Sequence, residues 1–220
     1  MARGRQAPPG RPAAPRDDRA HWDARYGAAP AGLFAAAPAD LLVAVARRLP
    51  RRGRALELAM GEGQNAVFLA RRGLRVTGLD VSPVAVGRAR ARARAAGVPL
   101  AARVRDLRGA RLRRGFYDLV TCFHYLDRAL FSAMARALRP GGVLVVEIAT
   151  VRNLERHPRP GRPYVLAEGE LAAAFPGLEP LLSREGWMGD HCQAQLVARR
   201  PTAPDGPRAP ARARRAPRRR

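Results

Sequence analysis

Between residues 54 and 149, short apolar segments alternate with segments of about ten residues that carry helix signals. Five apolar segments are interpreted as strands, at 54–59, 75–80, 100–106, 116–124 and 143–149. Strands separated by helices of this length predict a parallel sheet with right-handed crossovers and helices on both faces. Two further strands near 178–184 and 192–199 complete an α/β fold with a doubly wound, mostly parallel, seven-stranded sheet. A ligand of such a sheet is expected at the carboxyl ends of the strands.

The helices are recognised in the sequence by residues typical of helix ends. Helices are predicted at 35–48, 64–72, about 127–138 and 168–175, and another opens after Ser82 and closes at Gly97. In that last helix Arg alternates with Ala. Its sheet-facing stripe of small residues is predicted to be Val84, Gly87, Ala91 and Ala95.

The chain is strongly basic, but its charge is unevenly spread. The formal charge is +23, and all 41 basic residues are Arg. Arg without Lys, with abundant Ala, Gly and Pro, is typical of a GC-rich genome, so part of the charge reflects codon usage. Residues 1–16 and 201–220 consist mostly of Pro, Ala, Gly and Arg and lack periodic apolar residues. They are predicted to be disordered tails around one domain at 17–200.

Neither a membrane span nor a secretory signal is predicted. The best candidate for a span, 31–46, is interrupted by Pro38 and Asp40 and does not reach the roughly 18 apolar residues required. Two cysteines, Cys122 and Cys192, are too few for a disulfide framework. A reduced, cytoplasmic location is therefore expected, and no metal site is predicted.

Two features at strand ends carry chemistry. Residues 57–63, Glu-Leu-Ala-Met-Gly-Glu-Gly, form a glycine-bearing turn between a strand and a helix, where the backbone can approach a ligand closely. Asp80 ends the next strand, at a spacing that suits a carboxylate bound to ribose hydroxyls. These residues alone leave three readings open: a dinucleotide, another nucleoside cofactor, or a turn without a ligand in which Asp80 caps the next helix. Asp106, after the third strand, is either an adenine ligand or an exposed turn aspartate.

Five motifs resemble, in order and spacing, those of class I S-adenosylmethionine-dependent methyltransferases. They are E-L-A-M-G-E-G, V-T-G-L-D-V-S-P, R-D-L, Y-D-L-V-T-C and L-R-P-G-G-V-L-V-V-E, over about residues 54–149. The sequence is most similar to small bacterial enzymes of the tellurite-resistance and thiopurine type, which commonly carry an aromatic stretch like W-D-A-R-Y at 22–26. It departs from the pattern at Met60, where Cys or Gly is more usual, and at 147–149.

The resemblance implies S-adenosylmethionine as the cofactor and assigns its contacts. The methionine part would lie among Glu57, Ala59, Gly61 and Gly63, and the ribose would be bound by Asp80. The adenine would contact Asp106 and Leu107, and the sulfonium would lie beside Cys122 and Phe123. Asn65 and Val81 would be further contacts. Trp22 and Tyr26 either close the pocket over the cofactor or form an ordinary aromatic staple of an N-terminal helix.

The methyl acceptor is not identified by a motif. A thiol, metalloid or similar soft nucleophile needs no protein base, because positioning supplies most of the acceleration. If a base takes part, the candidate is His124, which lies at the cofactor end of the fourth strand and titrates near neutrality. A structural histidine is the alternative. His157, Tyr164, Trp187 and His191 lie in the C-terminal part, where such folds build substrate pockets.

Three functions remain open. The first, which is preferred, is methylation of a small molecule. The second is methylation of RNA or protein, with the basic tails as phosphate-binding arms. The third is a non-catalytic nucleic-acid-binding protein with a vestigial cofactor site. The N-P-P-[FY] motif of amino-group methylation is replaced after the fourth strand by Cys-Phe-His-Tyr, which disfavours the second function. No oligomeric state is predicted.

Deleting residues 1–16 and 201–220 tests the role of the tails. We expect the truncated protein to keep its thermal transition and its turnover of small acceptors, because neither tail has apolar residues to bury. The full-length protein should bind nucleic acid weakly, with an affinity that falls steeply as salt rises. Calorimetry, turnover and salt-dependent filter binding make the comparison. Loss of turnover in the truncated protein would favour a macromolecular acceptor.

Overall fold

The computed structural model of the protein describes residues 17–29, 32–33 and 37–202, so the predicted tails lie outside it except for two residues. The α-helices of this part are Asp18–Gly27 (α1), Asp40–Ala44 (α2), Gln64–Arg71 (α3), Pro83–Ala95 (α4), Arg128–Ala137 (α5) and Glu170–Ala173 (α6). The strands are Arg54–Leu58 (β1), Arg75–Asp80 (β2), Leu100–Val104 (β3), Tyr117–Phe123 (β4), Leu138–Ala149 (β5), Glu179–Met188 (β6) and His191–Arg199 (β7).

All seven strands form one sheet, in the order β3-β2-β1-β4-β5-β7-β6. Neighbouring strands among β1 to β5 are parallel, whereas β7 is antiparallel to both β5 and β6. The predicted mostly parallel, seven-stranded sheet is confirmed. The strand order reverses between β1 and β4, so the carboxyl ends of these two strands border the crevice where such sheets bind ligands.

The antiparallel pair β6 and β7 follows from the short connection between them. Only Gly189 and Asp190 separate the two strands, and Gly189 is left-handed, with φ +61°. A parallel crossover needs a dozen or more residues, so the chain at this point can only form a hairpin.

Apolar side chains cover both faces of the sheet, and β5 shows the alternation most clearly. Val143 and Val145 belong to the core that packs with α2 and α3, whereas Leu144, Val146 and Ile148 belong to the core that packs with α5 and α6. A central strand buried on both faces explains the nearly unbroken apolar run seen in the sequence.

The predicted stripe of α4 is wrong in phase. The side chains that α4 buries are Ala85, Val86, Ala89 and Ala93, whereas Gly87, Ala91 and Ala95 are exposed and Val84 is half-buried. The phase is set by contact with the β1–α3 turn, where a Cβ on Gly63 would lie only 2.7 Å from the Cβ of Ala89. Gly63 thus allows α3 and α4 to approach each other.

The helix predicted at 35–48 is shorter than expected. Residues 35 and 36 lie outside the described part, and α2 begins only at Asp40, after Ala39 in an extended conformation. Pro38 disfavours helical geometry in the residue before it, so the predicted helix cannot readily extend to residues before Pro38. A 3₁₀ turn at Ala46–Arg48 replaces the predicted end. No helix of the described residues is long and apolar enough to cross a membrane.

The Arg-Pro-Gly-Gly segment at 139–142, which precedes the predicted fifth strand, is incorporated into β5. The register between β4 and β5 shifts between Tyr117 and Leu119, which accommodates the extra residues of the Arg-Pro-Gly-Gly segment. A Cβ on Gly142 would lie 2.9 Å from the backbone oxygens of both Arg139 and Tyr117, so the bulge requires glycine there. The helix predicted at 168–175 also contracts, to α6.

The Gly63 contact predicts a stability difference between two glycine variants. Gly63→Ala should destabilise the protein by about 1–3 kcal/mol more than Gly97→Ala, because only the first variant overpacks the α3–α4 contact. Both glycines have positive φ, and nothing lies within 4 Å of a Cβ placed on Gly97, so Gly97→Ala isolates the backbone strain. Urea denaturation measures both free energies of unfolding. Equal losses would contradict the packing role of Gly63.

Candidate functional site

The turn between β1 and α3, residues 59–63 (the glycine turn), is held in a left-handed conformation at three positions. The φ angles are +51° at Ala59, +54° at Gly61 and +80° at Gly63. Ala59 is unusual because a Cβ is strained in this region. The side chain of Met60, where the sequence departs from the family pattern, covers Gly78 of β2, since a Cβ there would lie 2.1 Å from the sulfur. Met60 is therefore accommodated by a matching glycine.

Asp80 connects the glycine turn to the start of α4. Its Oδ2 accepts a hydrogen bond of 2.8 Å from the Gly61 N–H, and its Oδ1 accepts one of 2.9 Å from the Ser82 N–H. Burial raises the pKa of Asp80, and the backbone N–H donors act against that rise. The cap of α4 is Ser82, whose Oγ accepts the Ala85 N–H at 3.1 Å. Asp80 is therefore not the helix cap.

Glu57 places a second buried carboxyl beside the glycine turn. The residue is 2% exposed, and its Oε2 has no hydrogen-bond partner among the described residues. Burial raises the pKa of Glu57 to about 8, a hydrogen bond with Asn65 acts to lower it, and Asp80 acts to raise it. The Oδ1 of Asn65 accepts the Ala39 N–H at 2.8 Å, which fixes the amide. A buried carboxylate oxygen without a partner fits a cationic ligand group such as the ammonium of S-adenosylmethionine.

Helix α1 lies over the glycine turn. Tyr26 is 3% exposed, and its hydroxyl is 3.0 Å from the position that a Cβ on Gly61 would occupy. Burial, with Asp80 and Glu62 nearby, raises the pKa of Tyr26 above its usual range. Trp22 is half-buried, and its ring centroid lies 5.9 Å from that of Tyr26. The structure therefore brings Tyr26 to the predicted cofactor turn, with Trp22 beside it.

Three polar residues that were not predicted from the sequence hold α1 in this position. Arg88 donates to the Glu62 Oε1 at 2.6 Å and to the backbone oxygens of Tyr26 and Ala29 at 2.8 Å. Asp23 accepts a hydrogen bond from the Ser82 hydroxyl. Glu62 stands between the two glycines of the turn, but no periodic pattern distinguishes it or Arg88 from solvent-exposed residues.

Residues after β2 and β3 occupy the edge of the site. Val81, next to Asp80, is half-buried, and Leu107 is buried. Asp106 is exposed, and a side-chain hydrogen bond from Arg108 lowers its pKa. Arg108 also lies 3.4 Å from Asp18 of α1, so this loop contacts the helix that covers the glycine turn.

At the end of β4, Cys122 and Phe123 are buried and His124 is not. Burial raises the pKa of the Cys122 thiol to about 12, so it is a buried thiol and not a reactive thiolate. His124 has φ +56°, its side chain is 56% exposed, and its Nε2 lies 3.6 Å from Glu147 Oε1. Partial burial and the nearby His191 lower the pKa of His124.

Of the C-terminal residues considered in the sequence, His191 acts electrostatically on His124. The rings of His157 and His191 are 4.7 Å apart, and the guanidinium of Arg156 lies 3.8 Å from the ring of Trp187. Tyr164 is exposed. Among the residues that the structure describes, no three His, Cys, Asp or Glu side chains are arranged to hold a metal ion.

Comparison with known proteins agrees with this geometry. Residues 55–142 match the methyltransferase domain family. A ubiquinone biosynthesis O-methyltransferase of Xanthomonas axonopodis pv. citri is 34% identical over 129 residues, which cover 56% of this chain and 53% of that protein. An uncharacterized methyltransferase of Synechocystis is 36% identical over 101 residues, which cover 42% of this chain and 45% of that protein.

Solved structures share the fold over most of the chain. A protein from work on the conversion of a disulfide bond into a thioacetal group during echinomycin biosynthesis superimposes with a TM-score of 0.63 and 26% identity, over 83% of this chain and 93% of its own. TehB from Haemophilus influenzae superimposes with a TM-score of 0.62 and 19% identity, over 73% of this chain and 61% of its own. The chain carries a class I S-adenosylmethionine-dependent methyltransferase domain. It spans about half the length of the curated relatives that it matches.

Replacing Asp80 tests its part in this methyltransferase domain. Asp80→Asn should weaken binding of S-adenosylmethionine and its demethylated product by about 1–3 kcal/mol, because a buried hydrogen-bonding group loses its acceptor. Titration calorimetry should give 1:1 binding to the wild-type protein and no binding of NAD. Asp118→Asn is the control, since Asp118 also accepts a backbone N–H, from Arg54 at 2.7 Å, but at the amino end of the sheet. Equal loss of affinity in both variants, or binding of NAD, would contradict the assignment.

Proposed function

We propose that the chain transfers the methyl group of S-adenosylmethionine to a small-molecule acceptor bound at the carboxyl ends of β4 and β5. The observation that carries the proposal is the pair of buried carboxyls beside the glycine turn, Glu57 and Asp80. One carries an oxygen without a hydrogen-bond partner among the described residues, and the other fixes the turn, as a nucleoside ligand with a cationic amino-acid part requires.

The proposed contacts follow from this placement. Glu57 would pair with the cofactor's ammonium, and Asp80 would bind the ribose. Tyr26 and Trp22 would exclude water from the cofactor, because α1 already lies over the glycine turn. Asp106 and Leu107 would bind the adenine, and Val81 would be a further contact of the cofactor.

The transfer itself would be direct. The bound cofactor supplies a methyl group on a positively charged sulfur, which any aligned nucleophile can attack. Cys122 is buried and its pKa is raised, so it would not carry the methyl group as a covalent intermediate. The chain would act mainly by orienting the acceptor beside Phe123 and His124.

The short segments around the site favour a small acceptor. The carboxyl edge of the sheet is bordered by α1 at the glycine turn and by the segment after β5 and the β6–β7 hairpin at the end of β5, and each of these segments is short. The arginines of α4 also serve the fold, because Arg88, Arg90 and Arg92 all donate hydrogen bonds to backbone oxygens within the domain. Part of the positive charge is thus accounted for without a nucleic acid.

Labelled-methyl transfer tests this function. We expect transfer from S-adenosylmethionine to at least one small acceptor in a panel of thiols, metalloid oxyanions, halides and hydroxyl compounds, and none to total RNA. Trp22→Ala should raise KM for the cofactor several-fold, because Trp22 lies beside Tyr26, which contacts the glycine turn. Trp187→Ala should raise KM for the acceptor if the β6–β7 hairpin, where Trp187 lies, borders the acceptor pocket. Transfer to RNA or protein alone would contradict the proposal.

A further inference from the structure

Glu147 is a charged residue in a strand that is otherwise built for burial. Between Val143 and Ala149 it is the sole charged side chain, and it is buried. Burying a carboxylate is costly unless hydrogen bonds compensate for the lost water, so its presence here requires an explanation. Neither the cofactor contacts nor the core accounts for it.

Glu147 belongs to a row of polar side chains that crosses three strands. In register, Glu147 of β5 is opposite Gln195 of β7, and Gln195 is opposite Arg184 of β6. The Gln195 amide donates to Glu147 Oε2, and Arg184 Nε donates to Gln195 Oε1 at 2.6 Å. We call these three residues the polar row. It orients the Glu147 carboxylate with its other oxygen, Oε1, directed at His124.

His124 meets this oxygen because of its backbone conformation. Its N–H donates to the Glu147 carbonyl oxygen at 2.8 Å, which continues the β4–β5 pairing by one residue. The chain then turns at φ +56°, and the imidazole Nε2 comes to lie 3.6 Å from Glu147 Oε1. A histidine with left-handed φ that stays half-exposed at the end of a central strand is held for a purpose other than packing.

We infer that Glu147 is a positioning residue for His124, that His124 is a general base, and that the acceptor of the proposed methyl transfer is a hydroxyl compound. This inference rests on the proposed function. A thiolate or metalloid oxyanion arrives already nucleophilic and gains little from a base. A hydroxyl group has to lose its proton as the new bond forms, which is what the pair supplies.

The step balances as a single displacement. The acceptor oxygen forms a bond to the methyl carbon, the carbon–sulfur bond breaks, and its electron pair stays on sulfur. The hydroxyl proton passes to His124 Nδ1, because Nε2 faces Glu147 and carries the hydrogen in the neutral ring. The Glu147 carboxylate stabilises the resulting imidazolium.

Several charged groups act on this pair. Burial and His191 of β7 oppose protonation of His124. An ionised Glu147, whose Oε1 lies 3.6 Å from Nε2, would favour it. Burial raises the pKa of Glu147; Gln195 acts against that rise, Asp40 of α2 adds to it, and Arg184 acts against it. Because the base must be neutral, activity should fall as pH drops through the pKa of His124.

The test compares Glu147→Gln with Glu179→Gln, an exposed glutamate at the far end of β6. Glu147→Gln should lower kcat for a hydroxyl acceptor at least about tenfold, with affinity for S-adenosylmethionine unchanged. In the cofactor-free protein, NMR titration should show a lower His124 pKa in Glu147→Gln, because an anion beside the ring is lost. Glu179→Gln should change neither quantity.

A double variant separates positioning from a structural effect. His124→Ala should lower kcat about 10²–10⁴-fold, and adding Glu147→Gln to it should cause no further loss. Additive losses, or a His124 pKa unchanged in Glu147→Gln, would overturn the inference. Transfer confined to thiols or metalloids would also overturn it while leaving the proposed function intact. Absence of cofactor binding and of all transfer would refute the proposed function itself.

A further test uses the wild-type protein, so its result does not depend on whether a variant folds. The acidic limb of kcat/KM for a hydroxyl acceptor should coincide with the His124 pKa measured by NMR in the same protein. Coincidence supports His124 as the base. A limb at a different pH, or no limb, would overturn its role.

Discussion

The pair of hydrogen bonds that Asp80 accepts from Gly61 and Ser82 fixes the site more than any other interaction described here. It joins the glycine turn after β1 to the start of α4 after β2. Hydrogen bonds to a buried carboxylate contribute about 1.5–3 kcal/mol each, which is enough to hold a turn with three left-handed residues. Helix α1 then has a defined surface to cover, and Tyr26 can reach the turn.

Arginine side chains in this protein can stabilise the fold or remain available to a polyanionic partner, and composition cannot separate these two roles. Arginines of α4 donate hydrogen bonds to the backbone, and Arg88 also pairs with the buried Glu62. Arg139 pairs with Asp118 at the opposite end of the sheet. These arginines contribute to the fold, so the formal charge of the chain overstates how much of it is available to a polyanionic partner. An ion pair with a buried member stabilises the fold through its hydrogen-bond geometry rather than through the net charge of the chain.

The amino and carboxyl ends of the parallel strands have different roles. At the amino ends, Asp118 and the glycine-rich bulge at 139–142 connect β4 to its neighbours. At the carboxyl ends, buried carboxyls and aromatic side chains face the crevice, and the polar row of Arg184, Gln195 and Glu147 reaches it from the antiparallel hairpin. The hairpin is thus more than a sheet edge, because it supplies the residues that orient Glu147 toward His124.

The sequence by itself determined the βα order, the parallel sheet, the glycine turn and the acid at the end of β2. Apart from the pairing of β1 with β4, these features depend on contacts within about 25 residues of chain, where apolar period, caps and glycines act directly. The tertiary structure alone decided which face α4 buries, because its Arg-Ala repeat has no apolar stripe and the phase is set by Gly63 against Ala89. It also decided the His124–Glu147 contact. That contact joins residues 23 positions apart through the pairing of β4 with β5, and its support comes from Gln195, 48 residues further along the chain. No local pattern encodes such a contact, since strand pairing brings the side chains together only after the sheet has formed.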